Sequence, residues 1–145
     1  MIYLLDTNTC IRYLNGDSES VRSSLEARAP SEVFLCSMVK AELWFGAAKS
    51  RFPERSRAVL GVFFATFGSL PFDDLAAQAY ATIRAQLERA GTPIGPNDLV
   101  IAAIAAANQA TLVTHNTREF GRVEGLRWED WEEGISRESM PRSAG

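Results

Sequence analysis

Four acids mark where this chain could do chemistry. They are Asp6 in Leu-Leu-Asp-Thr-Asn, Glu42 in Val-Lys-Ala-Glu-Leu, Asp98 in Gly-Pro-Asn-Asp-Leu and Glu119 in His-Asn-Thr-Arg-Glu-Phe. Carboxylates that crowd together repel and, left alone, are forced to keep protons. A hard dication removes that cost, because Mg²⁺ and Mn²⁺ prefer oxygen ligands. Such an ion lowers the pKa of bound water and holds a phosphodiester for in-line attack. Acids without a His or Ser nucleophile fit metal-assisted phosphodiester hydrolysis better than acyl transfer. A retaining glycosidase needs only two carboxylates about 5–5.5 Å apart, and the residues alone leave it open. Taken singly, Asp6 also reads as a helix N-cap and Asp98 as a first-turn acid suited to the helix dipole. Glu42 is harder to explain in that way, since it sits among apolar neighbours where an acid is seldom buried unless paired.

The elements that must position these acids alternate between strand and helix. Met1 to Leu5 is an apolar run ending at Asp6, the pattern of a buried strand that delivers a carboxylate to a sheet edge. Asp6-Thr7-Asn8 opens a helix over Thr9 to Asn15, closed by Gly16-Asp17. A second helix runs from Ser18 to about Arg28. Val33 to Cys36 reads as a buried parallel strand, followed by Ser37 as N-cap and a helix over Met38 to Lys49. Ser50 to Arg57 reads as a polar turn, and Ala58 to Phe67 as an apolar segment whose phenylalanines suit a core or a protein contact equally. Leu70 to Phe72 is an edge strand or turn. Asp73-Asp74 then caps a helix from Leu75 to about Ala90, roughly 24 Å long at 1.5 Å per residue, with Gly91 at its C′ position. Pro96-Asn97-Asp98 begins a further helix to Asn108. Thr111 to Thr114 is another buried strand, with His115 to Phe120 as its loop. Leu126 to Trp128 reads as a last short strand and Glu129 to Trp131 as a polar turn. This alternation predicts an α/β domain with a mostly parallel sheet, whose ligands gather at the carboxyl ends of the strands. One domain over residues 1–133 is expected, with 134–145 a flexible C-terminal tail because no period is visible there.

Composition narrows the classes. At 145 residues the chain suits one domain that buries roughly 68–70% of its unfolded surface and needs no disulfide or metal to fold. A net charge of −3 argues against a broadly basic nucleic-acid coat, although local arginines or a bound cation can serve RNA. Lys40 and Lys49 are the only lysines among fifteen Lys and Arg residues. Arg118 and Arg122 are placed to meet RNA phosphates, as are Arg51, Arg55 and Arg57, though solvated surface arginines explain them equally well. Cys10 and Cys36 form no CxxC pair and read as small buried hydrophobes of a reducing compartment. With one His, His115, the chain lacks the soft ligands of a zinc site. That His reads as a structural donor before a general base. The sequence shows no charged, apolar leader and no run near the ~20 residues of a membrane span, so a cytoplasmic protein without membrane association is expected.

Four segments together carry a family resemblance. Leu-Leu-Asp6-Thr7-Asn8, Val-Lys-Ala-Glu42-Leu, Ile-Gly-Pro-Asn97-Asp98-Leu-Val-Ile-Ala-Ala and Leu-Val-Thr-His-Asn116-Thr-Arg-Glu119-Phe resemble PIN-domain ribonucleases. More narrowly, they resemble the VapC toxins of bacterial type II toxin–antitoxin modules. The similarity runs from Met1 to about Trp131, and four motifs in order make it specific. It implies an α/β/α sandwich around a parallel sheet and Mg²⁺- or Mn²⁺-dependent endonucleolytic cleavage of RNA, structured RNAs such as tRNA being frequent substrates. It also implies a homodimer and a VapB-like antitoxin that inserts near the acids. Asp6, Glu42 and Asp98 match the family's metal-binding acids, while Thr7 and Asn8 match positions supporting the first of them. Many relatives carry a fourth acid where this chain has Asn116. The expectation is that three acids hold one ion and Glu119 assists from the loop. The other readings are a PIN-like RNA- or protein-binding module that has lost catalysis, and a phosphoacceptor receiver domain. The latter needs a lysine near the last strand, where this chain has none.

Overall fold

The computed structural model describes residues 1–139. Its sheet has six strands: β1 (Tyr3–Leu5), β2 (Val33–Cys36), β3 (Gly68–Leu70), β4 (Thr111–Val113), β5 (Trp128–Asp130) and β6 (Ile135–Ser136). They lie in the order β3-β2-β1-β4-β5-β6, every pairing parallel except β5 with β6. The helices are α1 (Thr7–Asn15), α2 (Glu19–Glu26), α3 (Ser37–Ala48), α4 (Pro53–Thr66), α5 (Asp74–Ala90), α6 (Pro96–Ala107) and α7 (Thr117–Phe120). The expected α/β architecture with a mostly parallel sheet is therefore present.

The central strands are short and apolar because both their faces are covered. Leu4, Leu5, Leu112 and Val113 are wholly buried. The core continues into Val33, Leu35 and Val39 and into α6, whose Ile101 to Ala105 are all buried. Alanines at Ala102, Ala103 and Ala105 let the α6 backbone approach closely, and α5 packs along it. Chain order reverses direction at β1, which has β2 on one side and β4 on the other. Such a reversal leaves a crevice at the carboxyl ends of the strands. Asp6 is the residue that follows β1 into it.

Local signals fix several boundaries. Ser18 and Asp73 cap α2 and α5 by accepting from the Val21 and Ala76 amides. Gly16 and Gly91 end α1 and α5 at φ 68° and 70°, where a Cβ would be strained. Two boundaries differ from expectation. Cys36 occupies the N-cap of α3, and Ser37 is already helical. Pro53 sits at the start of α4 instead of interrupting a turn, so that helix begins well before Ala58. Within α4, Phe63 is buried in the core, whereas Phe64 meets Trp44 edge-on at 5.1 Å.

The C-terminal expectations need correction. Glu129 and Asp130 belong to β5, not to a polar turn, and Asp130 is buried. Gly134 onward is not patternless either, since Ile135–Ser136 pairs with β5. Arg137 then donates to the carbonyls of Val123, Leu126 and Gly121 at 2.8, 2.9 and 3.2 Å. A short strand with one partner and an arginine anchor leaves no hydrophobic period for a sequence reading to detect. The rest of the expected tail, residues 140–145, lies outside the described residues. A second anchor holds the turn after β5. The Arg28 guanidinium stacks between Tyr3 and Trp131, at 4.7 and 4.5 Å from their ring centres, and pairs with Glu129 at 3.6 Å. No helix among the described residues is long and apolar enough to cross a membrane.

Arg137→Ala should cost about 2–3 kcal/mol, because three carbonyls lose a charged donor. Urea unfolding monitored by Trp fluorescence measures this. An unchanged midpoint would mean that the segment after β5 contributes nothing to the fold.

Candidate active site

Asp6 is both a cap and a buried charge. Its amide extends the β1–β4 ladder by donating to Val113 O at 3.0 Å. Its carboxylate accepts from the Thr9 amide at 2.8 Å, as the N-cap of α1. Only 5% of the residue is exposed, and burial pushes its pKa up. Hydrogen bonds from Thr114 and Thr9 oppose that shift without cancelling it. Being a cap and belonging to a cluster of acids are therefore compatible roles for this side chain.

The other acids approach from neighbouring elements. Glu42 lies in α3, which leaves the end of β2, and its Oε1 accepts from the Thr7 hydroxyl at 2.7 Å. The partner that a half-buried glutamate requires is thus supplied by α1. Asp98 lies in the first turn of α6, which starts at Gly95 and Pro96 without a side-chain cap. Its carboxyl is pushed up to about 6, first by burial and then by the charges of Glu119, Asp6 and Glu42. Glu119, Asp6 and Glu42 therefore all lie within electrostatic reach of Asp98.

Glu119 sits in α7, the short helix that occupies part of the expected loop. One of its oxygens accepts from the Gly95 amide at 2.8 Å and the other from the Asn116 side-chain amide at 2.7 Å. The Gly95 bond leads the causes that lower its pKa. Glu119 thereby ties the entry of α6 to the loop after β4. Asn116 is the donor in this arrangement. A carboxylate in its place could not donate at neutral pH and would face Glu119 with like charge. Asn116 is tied back in turn, its backbone amide donating to the Thr114 hydroxyl at 3.0 Å. That same hydroxyl serves Asp6.

The remaining sequence-selected residues divide. Asn8 is exposed on α1 beside the acids. Arg118 is exposed, while the Arg122 guanidinium donates to Pro93 O at 2.9 Å and helps hold the loop before α6. Arg51 and Arg55 lie near the Phe52 ring, and Arg55 also lines the cleft that Glu42 borders. Cys10 and Cys36 are buried, and burial raises both thiols, consistent with an inert packing role. His115 is about half exposed, and its Nδ1 lies 2.8 Å from Asp130 Oδ2. Asp130 was not selected from the sequence. Nothing in Trp-Glu-Asp signals that one acid faces solvent and the next is buried. Thr9 and Thr114 were also missed, because a threonine that steadies an acid carries no distinguishing pattern.

Among the described residues, His115, Asp130 and Glu132 are the group of metal-type ligand atoms lying within 4.8 Å of one another. Their charges are already answered within the protein. Asp130 Oδ1 accepts the Glu132 and Glu133 amides, and Glu132 pairs with Arg12 at 3.3 Å. Asp6, Glu42, Asp98 and Glu119 are more widely spaced. Their donors are neutral amides and hydroxyls, and no cation pairs with Asp6, Glu42 or Asp98 among the described residues. An all-oxygen set with raised pKa values at Asp6 and Asp98 fits a hard divalent cation. It does not fit a soft metal.

Comparison with known proteins finds relatives of the chain over most of its length. The PIN domain family model matches residues 3–126. The chain is 41% identical over 129 residues to the tRNA(fMet)-specific endonuclease VapC of Salmonella typhimurium, spanning 89% of this chain and 97% of that protein. It is 38% identical over 133 residues to ribonuclease VapC2 of Rickettsia felis, spanning 91% and 99%. Among solved structures, DNA-bound VapBC from Salmonella typhimurium superposes with a TM-score of 0.85 at 40% identity, covering 90% of this chain and 98% of that one. VapBC2 from Rickettsia felis, bound to a DNA fragment from its promoter, gives 0.84 at 38% identity, covering 90% and 99%.

The Asp98 shift has a pH signature. A carboxyl whose folded pKa of about 6 exceeds its ordinary 3.8 holds its proton more tightly in the folded chain. Its contribution to stability is fully present below the lower value and is lost as pH rises through the higher one. Asp98→Asn should therefore stabilise the protein in EDTA by about 1–2 kcal/mol near neutral pH. The gain should close below about pH 4. Denaturant unfolding at both pH values measures it, and a pH-independent difference would refute the electrostatic account.

Proposed function

The chain belongs to the PIN-domain family, and from that premise we propose that it is a divalent-metal-dependent endoribonuclease, the toxin of a toxin–antitoxin pair. The observation that carries the reading is that Asp98, lifted to about 6 first by burial, also feels the charges of Glu119, Asp6 and Glu42 beside the β1 switch point. The similarity to VapC ribonucleases over most of the chain supports it. Phosphodiester bonds of RNA are the substrate class, and a structured RNA such as a tRNA suits the named relatives.

Asp6, Glu42 and Asp98 would hold Mg²⁺ or Mn²⁺, with Glu119 assisting. The ion supplies Lewis acidity and a water activated at neutral pH. The chain's own residues prepare that site. Thr7 fixes the Glu42 carboxylate, and the Thr9 amide with the Thr114 hydroxyl fixes Asp6. Asn116 and Gly95 hold Glu119 by both oxygens, which sets the entry of α6 and with it Asp98. Donors locked by packing keep acids in a reactive arrangement without reorganisation during turnover. Arg118, exposed after α7 begins, is available to an RNA phosphate. Arg122 is partly committed to Pro93 and contributes less.

The reading that catalysis has been lost rested on Asn116 in place of a fourth acid. Its bond to Glu119 gives that amide a function within an active arrangement. Two of the exposed apolar side chains, Ile11 and Val59, line a cleft with Glu42. Ile11, Trp44, Phe45, Val59 and Val62 are exposed apolar side chains on α1, α3 and α4. They suit protein partners, here a VapB-like antitoxin and a second copy of the chain.

Purified protein should cut RNA in Mg²⁺ or Mn²⁺ and stop in EDTA. Asp6→Asn should lower kcat by about a hundredfold or more, as loss of a preorganised charge does. Cutting in EDTA, or by Asp6→Asn at the wild-type rate, would defeat the mechanism. Asn116→Asp, which restores a fourth acid, should slow cleavage by about tenfold or more because Glu119 loses its donor and its position. A faster Asn116→Asp enzyme would show that this chain is simply one ligand short.

A further inference from the structure

Helix α1 is a ridge between two clefts of opposite character. On its α3 and α4 side the lining is largely apolar, with Leu14, Leu43, Val59 and Leu60. On its other side lies a polar cleft of about 520 Å³, a size that accommodates a small ligand. Ile11 and Asn15 border both. The polar cleft carries three side-chain amides, Asn8, Asn15 and Asn116, the His115 imidazole and the Ile11 side chain, with the paired charges of Arg12, Asp17 and Glu132 along its wall. It adjoins the acids directly, since Asn8 is two residues from Asp6 and Asn116 is bonded to Glu119.

We propose that this cleft is a nucleobase subsite, which receives an unpaired base of the RNA next to the bond that is cut. The proposal rests on the endoribonuclease reading for the identity of the polymer. The chemistry of the cleft selects a base over a phosphate. Its lining arginine, Arg12, is already paired with Asp17 at 3.4 Å and Glu132 at 3.3 Å, and the His115 ring lies 2.8 Å from Asp130, so carboxylates already answer the positive charge a backbone oxygen would need. Amide groups offer both donors and acceptors, which match the edges of an unstacked base. The imidazole supplies a flat face for stacking.

His115 is held for such a role. Asp130 is 2% exposed, accepts the Glu132 and Glu133 amides on one oxygen and lies 2.8 Å from the imidazole Nδ1 with the other. The ring is therefore fixed from below while about half its side chain remains open, with Nε2 unpartnered among the described residues. The Tyr3–Arg28–Trp131 stack and the antiparallel β6 strand hold the end of β5 that carries Asp130. An exposed loop histidine anchored to a buried carboxylate is preorganised, and preorganisation lowers the entropy lost when a ligand is gripped.

The test separates base from backbone recognition. Fluorescein-labelled single-stranded oligoribonucleotides of each base type, and a matched oligomer of abasic ribose phosphate, are bound to the full chain in EDTA at low salt and read by anisotropy. Wild type should bind at least one base-bearing oligomer more tightly than the abasic one. His115→Ala and Asn15→Ala should each weaken that oligomer, His115→Ala by roughly tenfold, the scale of one stacked base. Abasic binding should stay unchanged. Both substitutions are at solvent-exposed positions, so the variants remain folded for the comparison. Equal losses for both oligomers, no loss in either variant, or no preference for bases in wild type would each overturn the subsite. Cleavage of RNA in Mg²⁺ by wild type is scored separately. Base preference without cleavage would sink the nuclease reading and leave the subsite, and cleavage without base preference would do the reverse.

Discussion

Mutual repulsion of carboxylates gathered at the carboxyl end of a parallel sheet is the constraint around which this structure is arranged. Asp6 is carried there by a strand buried on both faces, and Glu42 and Asp98 follow on helices entering the same crevice. Desolvation and like charge both oppose their ionisation. The fold answers with neutral donors: the Thr9 amide, the Thr7 and Thr114 hydroxyls, the Gly95 amide and the Asn116 side chain. Neutral donors fix the acids in place without discharging them. What a protein cation would have cancelled is thereby left available to the divalent ion we propose.

The same logic distinguishes the second cluster, at His115, Asp130 and Glu132. Its atoms are closer together than those of the acid site, yet its charges are satisfied internally by backbone amides, an imidazole and Arg12. Proximity of ligand atoms alone therefore does not identify a metal site. The electrostatic deficit that remains after the protein's own partners are counted is the basis on which we propose Asp6, Glu42 and Asp98 instead. Between the two clusters, Asn116 and His115 are adjacent in sequence but serve different networks, one steadying Glu119 and the other anchored to Asp130.

Much of the fold was legible because its signals are local. Strand candidates were short apolar runs, and helix starts were marked by Asp6, Ser18, Asp73 and Pro96. Pro53 was misjudged because a proline among arginines reads equally as a turn or as a helix N1 residue. The C-terminal strands were misjudged for another reason. β5 buries Asp130 and exposes part of Glu129, so polarity and burial are uncoupled there. β6 is stabilised by one antiparallel neighbour and by Arg137 reaching back to three carbonyls. Contacts between distant segments leave no periodic trace in a sequence.

The sequence by itself determined the α/β alternation, the acids that end or head its elements, and the family to which they belong. Those properties are written in residue type and short spacing, which local conformational preferences translate directly. Only the tertiary structure decided how the acids are held, because Thr7 reaches Glu42 across 35 residues and Glu119 reaches Gly95 across 24. It also decided that Asn116 donates to Glu119, and that a buried Asp130 lies against His115 beside a polar cleft. Hydrogen-bond partners are chosen by proximity in space, and that proximity exists only once the sheet has brought β1, β4 and β5 side by side.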